Sequence, residues 1–173
     1  LPPHYTLENL AYKHTLFPIH ALFSPENIRL KCLQWMGNQS KGSIHLTLGV
    51  AASKVKQISM HRYCHLCLKD QYRQYGEFFW SRVWYIQGAN CCSKHKIKLT
   101  EFLPTAHLCG RHQFIPASFI LDRKQPNNPA HELDLIVSRY VDQLLKLPPT
   151  TSPTFHQWSQ FYQRIAKRLG FNK

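Results

Sequence analysis

Cysteine and histidine at close, regular spacing are the residues of this chain best suited to chemistry. Cys64-His65-Leu66-Cys67 is a C-x-x-C step, and Cys92-Ser93-Lys94-His95 is a C-x-x-H step after 24 intervening residues. A gap of two residues lets one tight knuckle aim two donors at a single ion, and two such knuckles complete the tetrahedral shell that structural zinc prefers. Three thiolates and an imidazole leave no open coordination position. The expected cofactor is therefore one structural Zn2+ held by Cys64, Cys67, Cys92 and His95. Cys91 would need a wider gap to His95 and is expected to be a packed thiol, while His65, inside the first knuckle, is expected to face solvent. His107-x-Cys109-x-x-His112 offers three more donors. A second metal would need a fourth, from His61 or Cys32; without one the segment reads as a polar loop with a buried thiol. No βαβ pattern surrounds Cys64 and Cys67, which argues against a redox pair. Six cysteines in 173 residues are too dilute for a secreted disulfide scaffold, so reduced thiols in a cytoplasmic setting are expected.

Charge points to the partner. The chain carries 22 Lys and Arg against 9 Asp and Glu, a net +13, which calls for a polyanion, nucleic acid before an anionic membrane surface. Residues 54–98 hold nine of the basic residues and only Asp70 and Glu77, so over half of the excess lies on or beside the cysteine segment. Lys94, Lys96 and Lys98 alternate after the second knuckle and, if extended, line one face. With Lys69 they are expected to meet phosphates, whereas Arg62, Arg73, Arg82 and Arg111 have the bidentate fork suited to base edges. Tyr72, Tyr75, Phe78, Phe79, Trp80, Trp84 and Tyr85 are dense enough to be the core of a small zinc module, with base stacking as the alternative. Catalysis is not expected: carboxylates such as Glu132, Asp134 and Asp142 form no convergent pair for Mg2+, and no nucleophile-elbow, phosphate-loop or H-E-x-x-H motif is present. No apolar run approaches the roughly 20 residues needed to cross a bilayer. No small-molecule substrate is expected.

Most of the elements that must position these groups read as helices. Thr6 to His14 is a short one, and Pro18 is expected to stop its continuation. Ser24-Pro25-Glu26 signals a helix start, running to about Met36 with Gly37 as left-handed cap. Residues 42–56 are ambiguous, with a lean towards helix. Ala130 to Lys146 repeats apolar residues at steps of three and four, Leu133, Ile136/Val137, Tyr140/Val141 and Leu144 forming the expected buried face. After the Pro148-Pro149 linker, a last helix from about Thr154 to Leu169 is expected to bury Trp158, Phe161/Tyr162, Ile165 and Leu169 before Gly170. The expected fold is mainly α: helical, bundle-like segments over 1–60 and 116–173 around a small irregular zinc-finger module of type CCCH over 61–115.

Arg62-Tyr63-Cys64-x-x-Cys67, then Tyr75-Gly76-Glu77-x-Phe79-Trp80-x-Arg82, Trp84-Tyr85 and Cys92-x-Lys94-His95 resemble the zinc-binding segment of the TnsD/TniQ family of bacterial transposition target-selection proteins. His14 to Pro18, Gly42 to Lys56 and Gln157 to Gly170 are similar to its TnsD branch. The resemblance implies a CCCH zinc site on Cys64, Cys67, Cys92 and His95. It also implies a reader of double-stranded attachment-site DNA that recruits the AAA+ regulator TnsC and does not itself cut DNA, acting in the bacterial cytoplasm on the nucleoid. Another possibility is a zinc-stapled module that docks TnsC while regions outside the fragment read DNA. His65 and Ser93 stand where family knuckles commonly carry proline, leaving the ligands intact but removing a rigid φ from each. The likeness also implies that family sequence precedes Leu1 and follows Lys173, as expected of a fragment.

Overall fold

The Thr6 hydroxyl accepts the Asn9 amide at 3.1 Å and thereby starts α1 (Leu7–His14), satisfying one of the donors a helix leaves unpaired at its N-terminus. The computed structural model describes residues 5–38, 42–55, 58–103, 114–120 and 126–171. Among them follow α2 (Phe17–His20), α3 (Glu26–Gly37), α4 (Ser43–Thr47), β1 (His61–Tyr63), α5 (His65–Tyr75), β2 (Thr100–Phe102), α6 (Glu132–Lys146) and α7 (Phe155–Arg168), with short 3-10 turns at Arg82–Tyr85 and Ala117–Ile120. The protein is mainly helical, as expected. No described helix is long and apolar enough to cross a membrane.

The chain forms two compact units, Leu1–Lys54 with Leu145–Lys173, and Val55–Leu144. In the first, Ala11, Tyr12, Phe17, Ala21 and Cys32 make the core, flanked by Ile28, Leu33, Trp35, Met36, Ile44 and Leu48. Pro18 does not break this region: it sits in the first turn of α2, where its missing N–H and fixed φ are tolerated. Two expectations about α3 need correction. No side chain caps its start, so Ser24 is not the N-cap hydroxyl. Gly37 is the last helical residue and has no positive φ. Its reason is space: a Cβ there would come within 2.8 Å of Leu7 Cδ2, so glycine is what lets α1 and α3 approach.

The Glu26 carboxylate ties this unit together. It accepts Arg29 Nε at 2.8 Å and Nη2 at 2.5 Å, and through Oε2 the Ser152 amide at 3.1 Å, while Arg29 Nη1 donates to the Tyr12 hydroxyl. The C-terminal segment adds Trp158, whose ring centroid lies 4.9 Å from that of Phe23. Thr154 and Gln157 form a reciprocal capping box at the start of α7. The expected burial of α7 does not hold: Phe161, Tyr162, Ile165 and Leu169 are exposed, and only Trp158 is half-buried. The apolar period is present, but it faces solvent.

The second unit is built on Tyr63, Cys64, Leu68, Trp84, Cys92, Ile97, Phe102, Ala117 and Ile120. Its two-stranded antiparallel sheet pairs His61 with Phe102, Arg62 with Glu101 and Tyr63 with Thr100; three residues per strand are too few for a period-2 pattern to reveal. On α6 the buried residues are Ser138, Val141 and Leu145, while Leu133, Ile136, Val137 and Tyr140 are exposed. The expected face was wrong by part of a turn because a buried serine occupies its centre. Of the seven aromatics expected in the core, Trp84 is buried and Phe78, Trp80 and Tyr85 pack against it. Tyr72, Tyr75 and Phe79 are exposed.

Glu26 yields a pH prediction. The bonds from Arg29 hold its carboxyl down to about 2, with burial opposing and the Ser152 amide assisting. Between about 4.5 and 2 the unfolded chain therefore binds more protons than the folded one, and stability falls as pH drops through that window. Acid titration of urea-unfolding midpoints should show this slope, and Glu26→Gln should flatten it.

Candidate metal centre

The short sheet brings the two knuckles together. β1 ends at Tyr63, so Cys64 leaves the sheet edge and begins α5, with Cys67 in that helix's first turn. Thiolates are favoured there, where the peptide dipoles present their positive end. β2 begins at Thr100, just after a hairpin in which Cys91 bridges Lys98. Within that hairpin the Cys92 amide donates to Ile97 O at 2.8 Å, the Lys96 amide to Cys92 O at 2.9 Å, and the His95 amide to Cys92 Sγ at 3.3 Å. Lys96 closes the turn at φ 56°, a left-handed conformation that costs an L-residue about 1–2 kcal/mol.

One ligand atom from each of Cys64, Cys67, Cys92 and His95 lies within 4.8 Å of all the others. Cys67 Sγ is 3.4 Å from Cys92 Sγ, and His95 Nδ1 is 3.4, 3.3 and 3.5 Å from the sulphurs of Cys64, Cys67 and Cys92. Metal–sulphur bonds of about 2.3 Å and metal–nitrogen bonds of about 2.0–2.1 Å arranged tetrahedrally require donor separations of about 3.6–3.8 Å. A cation of zinc's size therefore fits with a few tenths of an ångström of expansion. Electrostatics agree with the geometry. Hydrogen bonds from the Cys64 and Cys67 thiols pull Cys92 down to about 2, and hydrogen bonding to Cys64 and Cys92, then burial, pushes Cys67 up. At Cys64 the bond with Cys67 favours ionisation, but the bond with Cys92 and burial outweigh it and push the thiol up to about 11. One thiolate is stabilised at its neighbours' expense; ionising all three needs a central positive charge.

Cys91 is not part of this group. It is buried, its Sγ donates to Ser138 Oγ at 3.2 Å, and burial pushes its thiol up; adjacent residues on extended chain point to opposite sides, so Cys92 and Cys91 serve different neighbours. His65 is buried rather than in solvent, and that burial lowers its pKa. His107, Cys109 and His112 lie outside the described residues. Of the two candidate fourth donors, Cys32 belongs to the core of the first unit. His61 is stacked on Trp80 at 4.4 Å, its Nδ1 paired with the Tyr85 hydroxyl at 2.6 Å.

The expected DNA-contacting residues divide. Lys69, Arg73, Lys96 and Lys98 are exposed, and Arg82 is half-buried. Lys94 is exposed but ion-paired with Asp70, and its ammonium holds that carboxyl below its ordinary value. The turn at Lys94 and the left-handed Lys96 mean that Lys94, Lys96 and Lys98 do not share an extended face. Arg111 lies outside the described residues. Arg62 is a correction: it is only 5% exposed, donating from Nε to Trp84 O at 2.6 Å, from Nη2 to Ile86 O at 2.9 Å and from Nη1 to Asn90 Oδ1 at 3.4 Å. A guanidinium so engaged is a strut between β1 and the 3-10 turn with the segment that follows it, not a base reader. The sequence reading passed over Asp70, whose Oδ2 lies 3.2 Å from His95 Nε2; its place one helical turn beyond Cys67 was the available signal.

Comparison with known proteins bears on this geometry. The sequence model of the TniQ family matches residues 4–99, which takes in the first knuckle, the second knuckle and the basic residues between them. The transposon Tn7 transposition protein TnsD of Escherichia coli is 38% identical over 172 residues, covering 98% of this chain and 33% of its own length. The chain thus spans about a third of that relative.

The Arg62 assignment is checked by stability. Arg62→Met removes the donor for two buried carbonyls and should lower unfolding stability by about 2–6 kcal/mol, at 1–3 kcal/mol for each acceptor left unpaired. Urea denaturation of the two proteins measures this, and a change below about 0.5 kcal/mol would return Arg62 to the surface.

Proposed function

The chain belongs to the TniQ family, and on that footing we propose that it acts in target-site selection for transposition. It binds an attachment-site DNA duplex through a zinc-stapled module and presents the AAA+ ATPase TnsC with that site, in the bacterial cytoplasm. The observation that carries this reading is the 38% identity, over nearly the whole chain, to a Tn7 transposition protein. The physical setting supports it. Lys69, Arg73, Lys96 and Lys98 are exposed around the Cys/His cluster, and phosphate neutralisation by such residues supplies salt-dependent affinity. Arg73, with its side chain 79% exposed, is the best-placed candidate for base reading, and Arg82 can contribute from the edge. Zinc is the ion suited to the donors: Cys64, Cys67, Cys92 and His95 would close its shell and leave it structural. The chain's own role is recognition, not bond cleavage.

A second reading has its own observation. Leu133 and Tyr140 on α6 are 66% and 64% exposed, as suits a surface that docks TnsC while DNA is read elsewhere in a longer protein. Pull-down of the ATPase without DNA separates the two: DNA-independent capture favours the docking module.

Mobility-shift titration against attachment-site and scrambled duplexes at several salt concentrations tests the first reading. Preference for the attachment site is expected, with affinity falling as salt rises. Neutralising Lys69, Arg73, Lys96 and Lys98 together should reduce the salt slope by about one unit per lost phosphate contact. Equal affinity for both duplexes would end the claim that this part of the protein selects the site. Elemental analysis should find one zinc per chain, lost in Cys92→Ser and retained in Cys91→Ser.

A further inference from the structure

Asp70 lies three residues beyond Cys67 on α5, so the two side chains share one face of the helix. Its Oδ2 is 3.2 Å from His95 Nε2, within hydrogen-bonding distance. The opposite ring nitrogen, Nδ1, stands 3.3–3.5 Å from the three sulphurs. A neutral imidazole that offers Nδ1 to a cation carries its only proton on Nε2. That is the nitrogen beside the carboxylate. We propose that Asp70 is the outer carboxylate of the metal centre: it accepts the Nε2–H of His95, fixes the tautomer that presents Nδ1, and sets metal affinity without being a ligand. This rests on the zinc reading of the four-residue cluster.

The surroundings of Asp70 support a positioning role. The His95 side chain is 17% exposed against 33% for Asp70, so the ring is the more enclosed of the pair and the carboxylate meets it from the solvent side. Asp70 is itself held from beyond, by an ion pair to Lys94 and by Arg73 Nη1 at 4.0 Å. Lys94 lies within the same C-x-x-H knuckle as His95. The lysine therefore buttresses the carboxylate that aims its neighbour's ring, which gives it a task within the protein. Carboxylates that accept the distal N–H of a ligating histidine raise ligand basicity and fix ring orientation, and their loss typically costs 10–100-fold in metal affinity.

The test is competition of the purified chain with a chromophoric chelator for Zn2+. Asp70→Ala should weaken binding 10–100-fold; Asp70→Asn, which keeps an oxygen acceptor but no charge, should fall between it and wild type. Lys94→Ala removes only the exposed buttress of that carboxylate and should weaken binding less than Asp70→Ala does, by no more than about fivefold, the range for an exposed ion pair. Nitrogen-15 NMR of the zinc-loaded protein supplies a readout that fold stability alone does not move. The His95 Nε2–H should be resolved and slow to exchange in wild type, and lost to fast exchange in Asp70→Ala at saturating zinc, with circular dichroism unchanged. A wild-type chain that binds no zinc removes the metal reading and this inference together. A wild type that binds zinc while Asp70→Ala or Asp70→Asn binds equally tightly, with the Nε2–H unaltered, overturns the role of Asp70 alone.

Discussion

Three sulphurs and a ring nitrogen crowd within 4.8 Å of one another, and the second unit is organised around the need to hold them there. Thiols that close compete for ionisation, which is why Cys92 is drawn down while Cys67 is driven up. A dication bound there would convert that conflict into attraction, and its binding free energy would count towards folding. Each neighbouring element serves the convergence. The sheet sets the ends of the two knuckles side by side, α5 orients Cys64 and Cys67, and the left-handed Lys96 lets the hairpin return in time to aim His95.

The same economy accounts for Arg62. A three-residue strand has little cohesion of its own, and burying a guanidinium beneath it supplies bonds to two backbone carbonyls and the Asn90 side chain across the core. The desolvation cost is offset because the guanidinium donates to three oxygen acceptors, and burial lowers the pKa of a group whose charge is nonetheless secure. One of the four arginines expected to read bases is thus buried as a support of the module. Glu26 plays the matching part in the first unit, where a single carboxylate joins α3 to a segment more than a hundred residues later in the chain.

What the sequence made legible follows from which signals are local. Knuckle spacing is set within four residues, so the grouping of Cys64, Cys67, Cys92 and His95 could be read directly, and the choice of Cys92 over Cys91 for that group came from the same rule. Helix existence is also local: α1, α3, α6 and α7 were visible from caps and periodicity. Which face of a helix is buried depends on its neighbours, and there the reading failed. Ser138 lies at the centre of the buried side of α6 because it accepts the Cys91 thiol, and Leu133 and Tyr140 are displaced outward. Gly37 was assigned to a left-handed cap on grounds of residue type, whereas Leu7, thirty positions away, is what requires it. The β1–β2 pairing was invisible because register over three residues carries no pattern.

Charge needs the same distinction between what a sequence counts and what a surface offers. All nine basic residues of 54–98 contribute to the long-range field, which acts over about 10 Å at 0.1 M salt and steers a polyanion irrespective of side-chain partners. Contact is more selective. Arg62 is interior, Lys94 is engaged by Asp70, and Arg73 stands at 4.0 Å from the same carboxylate, so none of them is available on the terms of Lys69, Lys96 or Lys98. The number that governs encounter is therefore larger than the number that governs the docked complex. If the partner is DNA, as proposed, the whole basic block would steer its approach, while Arg62 and Lys94 are engaged within the module itself.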